Sequence, residues 1–183
     1  KARGLAFANY LLKDNKFKDP KIQIPRTIAI ATDEFDHFMD KNNLWKIALI
    51  KNTDKKILEE FLKSKIQSSL LKKLKSILKE FKGPIAVRSS SLLEDSQYQP
   101  LAGMYSTFML ANSHKNFTEK LDQLIEAIKR IYASTFFRGP KSLMDTYSHR
   151  HEEEKMAIII MDLIGNNNND LFYPTFSGVA QSY

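Results

Sequence analysis

Amphipathic helical patterns alternate with short apolar runs along this chain, and that alternation constrains its fold more than any other feature. Apolar side chains recur at helical spacing over residues 54–81, in one broken helix or two, and again over 118–132. The apolar runs at 85–87 and 156–164 instead have the length of strands. The pattern favours an α/β or α+β fold, and we predict an α+β chain whose short mixed sheets are flanked by helices.

The remaining segments continue the alternation. Thr118 is the predicted N-cap of its helix, which should end near Gly139-Pro140. The other predicted elements are a helix over 1–12, a strand over 22–31, a short helix capped by Thr32 or Asp33, a strand over 106–110, an Asn-rich turn over 165–170 and a return strand over 171–181. The return strand should form a hairpin with the run at 156–164.

The length of 183 residues fits one or two domains. A change of pattern near 111–117 predicts two lobes, one over 1–111 and one over 112–183. The chain begins at Lys1 without an initiator Met and stops inside a strand-like run. We therefore expect a piece of a longer protein, with the second lobe incomplete at its C-terminus.

Two residue types are scarce, and their scarcity excludes several kinds of site. The chain has no cysteine, so it can form neither disulfides nor thiolate zinc sites. Its six glycines lie too far apart for the G-x-G-x-x-G or G-x-x-x-x-G-K-[ST] motifs. The two commonest glycine-rich phosphate loops are therefore excluded.

The formal net charge of +7 weakly favours an anionic partner. The lysines of 54–81 fall mainly between the apolar positions, which is typical of a solvated helix face rather than of a nucleic-acid surface. Nucleic acid is therefore not an expected partner, and non-specific binding to it is an alternative that rests on charge alone. Because no apolar run approaches the roughly 18 to 20 residues of a membrane span, we expect a soluble, cytoplasmic protein.

A polar cluster follows the strand at 85–87. Arg88 is followed by three serines at 89–91 and then by the acidic residues Glu94 and Asp95. A guanidinium can present its planar fork to phosphate oxygens, and hydroxyl and backbone N–H groups can complete the anion's shell. The alternative is structural, with Arg88 paired to Glu94 or Asp95 across a polar turn.

A second polar run, His149, His151 and residues 152–154, invites comparison with metal sites. It lacks the H-E-x-x-H spacing of a zinc-binding helix. We interpret it as a solvated loop or the start of a strand, and we assign no metal ligands.

Residues 85–95 (IAVRSSSLLED) and 101–108 (LAGMYSTF) together resemble the A-V-R-S-S-x-x-x-E-D loop and the following F-A-G-x-x-x-T-F of the phosphoenolpyruvate synthase and pyruvate phosphate dikinase family. The resemblance extends to residues 1–5 (KARGL), similar to the end of the family's G-G-K-x-x-x-L. It also covers residues 24–32 (IPRTIAIAT), similar to its V-P-P-G-F-V-V-T-T. Towards the C-terminus, residues 156–164 resemble the strand entering its adenine-side hinge, and residues 177–179 its S-G-V strand.

The resemblance implies the N-terminal portion of an ATP-grasp-like domain, which holds ATP between two lobes. It implies that Lys1 and Arg88 contact the phosphates, with Arg88 taking part in catalysis, and that Ser89 and Ser90 lie beside them. Gly103 would allow close backbone approach. The hinge backbone, at Met161, Asp162, Leu163 and Ile164, would face adenine.

Several positions depart from the family pattern. Residues 91–93 (SLL) replace the family's usual run of small residues. Arg26 and Thr27 stand where the family has proline and glycine. Met104 and Tyr105 stand where polar side chains are common, so we assign no ligand contact to them.

The same resemblance implies a parent protein that splits ATP and passes a phosphoryl group to a histidine and then to pyruvate, giving phosphoenolpyruvate. Its partners would be ATP, the acceptor pyruvate and the phosphohistidine domain of the parent chain, with Mg²⁺ bound in the full-length parent. This chain alone should then be inactive. The alternatives are a related dikinase with an antibiotic or glucan acceptor, and a catalytically degenerate nucleotide-binding regulatory module.

Overall fold

A computed structural model describes residues 1–14, 22–50, 52–91, 94, 103–146 and 150–179. Two residues considered above, Asp95 and His149, lie outside the described residues, as do residues 101–102 of the resembling loop and the end of the predicted strand at 171–181. Within the described part of the chain, no helix combines the length and the apolar character needed to cross a bilayer.

A four-stranded antiparallel sheet organises the molecule. Its strands are β1 (Thr27–Ile30), β2 (Ile85–Ser91), β3 (Thr107–Leu110) and β4 (Met156–Asp162), in the spatial order β1-β4-β2-β3. β4 lies between β1 and β2 and is antiparallel to both, and β3 is antiparallel to β2. The short strands β5 (Asn166–Asn168) and β6 (Leu171–Tyr173) form a separate antiparallel pair.

The predicted α+β class is confirmed, with one correction to the sheets. All strand pairs among the described residues are antiparallel, whereas we expected mixed sheets. Apolar spacing indicates which face of a strand is buried and carries no information on strand direction, so the sequence could not supply this. The division into lobes over 1–111 and 112–183 stays a prediction. In the structure, β4 from the second of these segments is a central strand of the sheet that also contains β1, β2 and β3.

Seven helices lie within the described residues: α1 (Ala2–Asp14), α2 (Thr32–Lys41), α3 (Trp45–Leu49), α4 (Asp54–Lys63), α5 (Ser68–Glu80), α6 (Phe117–Ser134) and α7 (Arg138–Thr146). The stretch 54–81 therefore forms two helices, with Thr53 capping α4 by accepting a hydrogen bond from the Lys56 N–H at 3.3 Å. Asn116, rather than Thr118, caps α6, because its side-chain oxygen accepts from the Thr118 N–H at 2.9 Å. α2 begins at Thr32 without a side-chain cap.

Three other boundaries differ from the prediction. β2 continues to Ser91, so Arg88 and the serines lie inside a strand and not in a loop after it. Gly139 and Pro140 lie in the first turn of α7, where proline is tolerated because the N–H it lacks would have no helical partner. The hairpin joins β5 to β6 instead of joining 156–164 to the return strand, since both edges of β4 are already paired within the large sheet.

The main core fills the space between one face of the large sheet and the helices α2, α4, α5 and α6. Phe35 of α2 is fully buried at its centre. The ring centroid of Phe35 lies 5.0 Å from that of Tyr132, 6.1 Å from that of Trp45 and 6.2 Å from that of Phe136. This aromatic cluster holds α2 and α6 against the sheet and leaves the opposite sheet face free of the main core.

Candidate functional site

The two faces of the large sheet differ in chemistry, because successive side chains of a strand point to opposite faces. One face belongs to the core, and we call the other the outer face. The outer face carries every second residue of β2, which are Ala86, Arg88 and Ser90, and the residues paired with them on the neighbouring strands. These are Thr107 and Met109 of β3, Ala157, Ile159 and Met161 of β4, and, paired with Met161 and Ile159 in turn, Thr27 and Ala29 of β1.

Arg88 is the cation of the outer face. Its side chain is exposed, and among the described residues it makes no ion pair and no hydrogen bond. In the strand register it lies between Ile159 of β4 and Thr107 of β3, and Thr107 is also exposed. The guanidinium therefore extends from a rigid strand with its donors available to a ligand.

Lys1 is brought to the same strand from the start of α1. Its ammonium forms an ion pair with Glu94 and donates a hydrogen bond to the backbone oxygen of Ser89 at 3.3 Å. The Glu94 backbone N–H in turn donates to the Ser91 hydroxyl at 3.2 Å. Glu94 thus neutralises Lys1 and not Arg88, and the ammonium lies against the residue next to Arg88.

α1 itself borders the outer face at β1. A cleft of about 540 Å³ separates Ala2 and Leu5 of α1 from Thr27 and Ala29 of β1. α1, which Lys1 immediately precedes, therefore flanks the face that carries Arg88.

The serines of β2 are divided between the two faces. Ser90 lies on the outer face with Arg88 and is partly exposed. The Ser89 side chain lies on the inner face with 2% of its surface exposed, so only its backbone reaches Lys1. Gly103, also predicted for the site, is exposed and has a φ of +79°, which a side chain would strain.

The predicted hinge follows β4 directly. Met161 lies on the outer face and is partly buried, whereas Ile164 is exposed. The backbone N–H groups of Asp162 and Leu163 donate to the oxygens of Arg26 and Pro84, each at 3.0 Å. These two donors are therefore engaged within the protein, and a contact to adenine from this segment would have to use its carbonyl groups, the Ile164 N–H or side chains.

A buried polar pair that the sequence pattern does not indicate lies on the other side of β2. Tyr105, treated above as a departure from the family, donates from its hydroxyl to Glu154 Oε1 at 2.9 Å. Glu154, expected in a solvated segment, is only 3% exposed. Burial and the negative charge of Glu154 raise the pKa of Tyr105, so the phenol stays protonated and acts as a donor.

No group of three or more carboxylate or imidazole side chains converges within the part of the chain that the structure describes. His151 instead pairs with Asp145, its Nε2 lying 2.9 Å from Oδ1. A divalent cation would require several oxygen ligands in one place, so the residues described do not fit such a site.

The fold is an α+β domain whose outer sheet face presents a guanidinium to solvent, an arrangement suited to binding an anion. Comparison with protein families agrees and is more specific, since the family described as "Pyruvate phosphate dikinase, AMP/ATP-binding domain" matches residues 1–183. The chain belongs to this family of AMP/ATP-binding domains.

A relative from Bacillus subtilis (strain 168), described as the "Uncharacterized phosphotransferase YvkC", is 26% identical to this chain over 156 residues. The match covers 83% of the chain and 17% of the relative. The chain therefore spans a small part of the length of that phosphotransferase.

Proposed function

We propose that this chain binds ATP with its triphosphate on the outer face, as the ATP-binding part of a dikinase-type phosphotransferase. The observation that carries the proposal is the exposed guanidinium of Arg88, held on a central strand in a chain that matches an AMP/ATP-binding family along its whole length. A planar guanidinium can donate two parallel hydrogen bonds to a phosphate group, which fixes its orientation as well as its charge.

The neighbours of Arg88 supply the rest of the anion site. The Lys1 ammonium is a second cationic donor beside β2, for which a phosphate group would compete with Glu94, and the hydroxyls of Ser90 and Thr107 flank Arg88 on the outer face. In the transition state of phosphoryl transfer, negative charge is spread over the three equatorial oxygens of the phosphoryl group, and Arg88 would stabilise it with donors that are already in place. Ser89 would contribute through its backbone, and the exposed turn at Gly103 through close approach to the phosphates.

Adenine would lie at the other end of the outer face, against the segment 161–164. Met161 offers an apolar, polarisable side chain there, one strand across from Ala86. The polar edge of the base would meet the segment's carbonyl groups or the Ile164 N–H.

In the full-length protein, the phosphoryl group would pass to a histidine of a separate domain and then to pyruvate, giving phosphoenolpyruvate. In the first step, an imidazole nitrogen would bond to a phosphorus of ATP as the bond from that phosphorus to a bridging oxygen breaks, and the remaining nucleotide would leave with that oxygen. Mg²⁺ would neutralise part of the polyphosphate charge, and its ligands would come from parts of the protein other than the residues described here.

The proposal is tested by following the phosphoryl group in the full-length protein. With ATP we expect an acid-labile, base-stable phosphohistidine that pyruvate discharges, with phosphoenolpyruvate detected by ³¹P NMR. If an antibiotic or a glucan, but not pyruvate, discharges the phosphohistidine, pyruvate is not the acceptor. ATP binding without any phosphohistidine would identify a degenerate regulatory module, and absence of ATP binding would overturn the proposal as a whole.

A further inference from the structure

Polar groups at the end of β2 extend from the buried pair Tyr105 and Glu154 to the ammonium of Lys1. Against the larger effects of burial and Glu154, which raise the pKa of the Tyr105 phenol, the Ser91 hydroxyl lowers it, and this hydroxyl accepts a hydrogen bond from the Glu94 N–H at 3.2 Å. The Glu94 carboxylate then pairs with Lys1. These polar groups lie along the end of β2. There Ser91 is in register with Met156, which follows Glu154 by two residues.

The buried pair Tyr105 and Glu154 is joined by a hydrogen bond, which fixes the relative position of the two side chains more specifically than apolar contacts would. Only 6% of the Tyr105 surface and 3% of the Glu154 surface are exposed, so neither side chain can touch a ligand on the outer face. Burying a carboxylate is costly unless it accepts hydrogen bonds, and the phenol supplies one at 2.9 Å. The bond joins the segment before β3 to the segment before β4, which are 49 residues apart in sequence.

We propose that Tyr105 and Glu154 are positioning residues for nucleotide binding, which fix the Ser91 end of β2 and, through Ser91 and Glu94, the ammonium of Lys1. The inference rests on the proposed function, because Tyr105 and Glu154 would act through Lys1, which is proposed to contact the ATP phosphates.

Tyr105→Phe tests the proposal most sharply, because it removes one hydroxyl and leaves the ring. We expect the ATP dissociation constant of the full-length protein, measured by calorimetry, to rise about tenfold, since a charge-assisted hydrogen bond is lost. Glu154→Gln should have a smaller effect, because the amide oxygen can still accept from the phenol. Tyr132→Phe is the matched control, since its hydroxyl is buried with no hydrogen-bond partner among the described residues, and it should change the constant less than twofold.

A double-mutant cycle with Lys1→Ala separates positioning from a general structural effect. If the pair acts through Lys1, Tyr105→Phe should weaken binding by less than twofold in the Lys1→Ala background. An equal loss in both backgrounds, or no loss in the first, would overturn the proposal. Circular dichroism checks folding; if Tyr105→Phe unfolds, the same cycle is run with Glu154→Gln, and unfolding of both variants would show that the pair is only structural.

The failure of this proposal can be distinguished from that of the proposed function. If the unaltered protein binds ATP and Arg88→Ala weakens binding about 100-fold while Tyr105→Phe does not change it, only the positioning role is wrong. If the unaltered protein does not bind ATP, the proposed function fails and the positioning role fails with it.

Discussion

Replacing Arg88 by alanine in the full-length protein is expected to weaken ATP binding about 100-fold, because hydrogen bonds to charged groups contribute about 1.5–3 kcal/mol and a factor of ten corresponds to about 1.4 kcal/mol. The free energy of unfolding should change by less than about 0.5 kcal/mol, since the side chain is exposed and has no partner among the described residues. Arg88→Lys keeps the charge but loses the planar fork, so an intermediate loss is expected. Isothermal titration calorimetry measures the binding, and urea unfolding measures the stability.

Arg130→Ala is the control for the Arg88 variant. Arg130 lies on α6, a helix that packs on the inner side of the sheet, and its guanidinium pairs with Glu126 at 2.7 Å within the same helix. Its loss should leave ATP binding within twofold of the unaltered protein. Equal effects of Arg88→Ala and Arg130→Ala would indicate that ATP affinity depends only on the total positive charge. Unchanged binding with Arg88→Ala would remove Arg88 from the site.

Replacing Phe35 by alanine is expected to lower the free energy of unfolding by about 3–5 kcal/mol, the usual cost of removing a fully buried phenylalanine. The Phe35 ring has none of its surface exposed and contacts the rings of Trp45, Tyr132 and Phe136, so its removal leaves a cavity between α2 and α6. Urea denaturation followed by circular dichroism gives the free energy from the midpoint and slope.

Phe176→Ala is the matched control, because the Phe176 side chain is 88% exposed. It should change the free energy of unfolding by less than about 0.5 kcal/mol. A loss below about 1 kcal/mol for Phe35→Ala would contradict the placement of this aromatic cluster at the centre of the core.

The parts of the fold that follow a simple period could be predicted from the sequence. α6 was predicted from its continuous apolar stripe, and its side chains at Leu124, Ile128 and Ile131 are buried. β2 and β4 were predicted from their apolar runs, although β2 extends four residues further than expected. Its polar end was missed because Ser89 and Ser91 are small hydroxyl residues that can be buried in a strand, and an apolar pattern does not detect them.

Strand order and long-range pairing could not be predicted in the same way. Nothing in the local sequence places β4 between β1 and β2, since this arrangement depends on contacts between residues at least 65 positions apart. The insertion of β4 separates the outer face from the core and brings Ile159 opposite Arg88. The order of the strands therefore decides which residues share the candidate site.

The candidate site was predicted in outline from the motif around Arg88. Extending β2 to Ser91 places Arg88 and Ser90 on one face and Ser89 on the other, because side chains alternate along a strand. The pair formed by Glu94 and Lys1 and the bond between Tyr105 and Glu154 depend on tertiary packing, since each joins residues far apart in sequence. A sequence pattern carries no signal for such contacts.

The most direct test is to locate ATP on the protein by NMR of its methionine methyl groups. Met161 lies on the outer face next to the predicted hinge, whereas Met39 and Met144 are fully buried, Met39 within the main core. Titration with ATP should shift the Met161 methyl signal saturably and leave those of Met39 and Met144 in place, and Arg88→Ala should weaken the response. Saturable shifts at Met39 or Met144 with none at Met161 would contradict binding on the outer face.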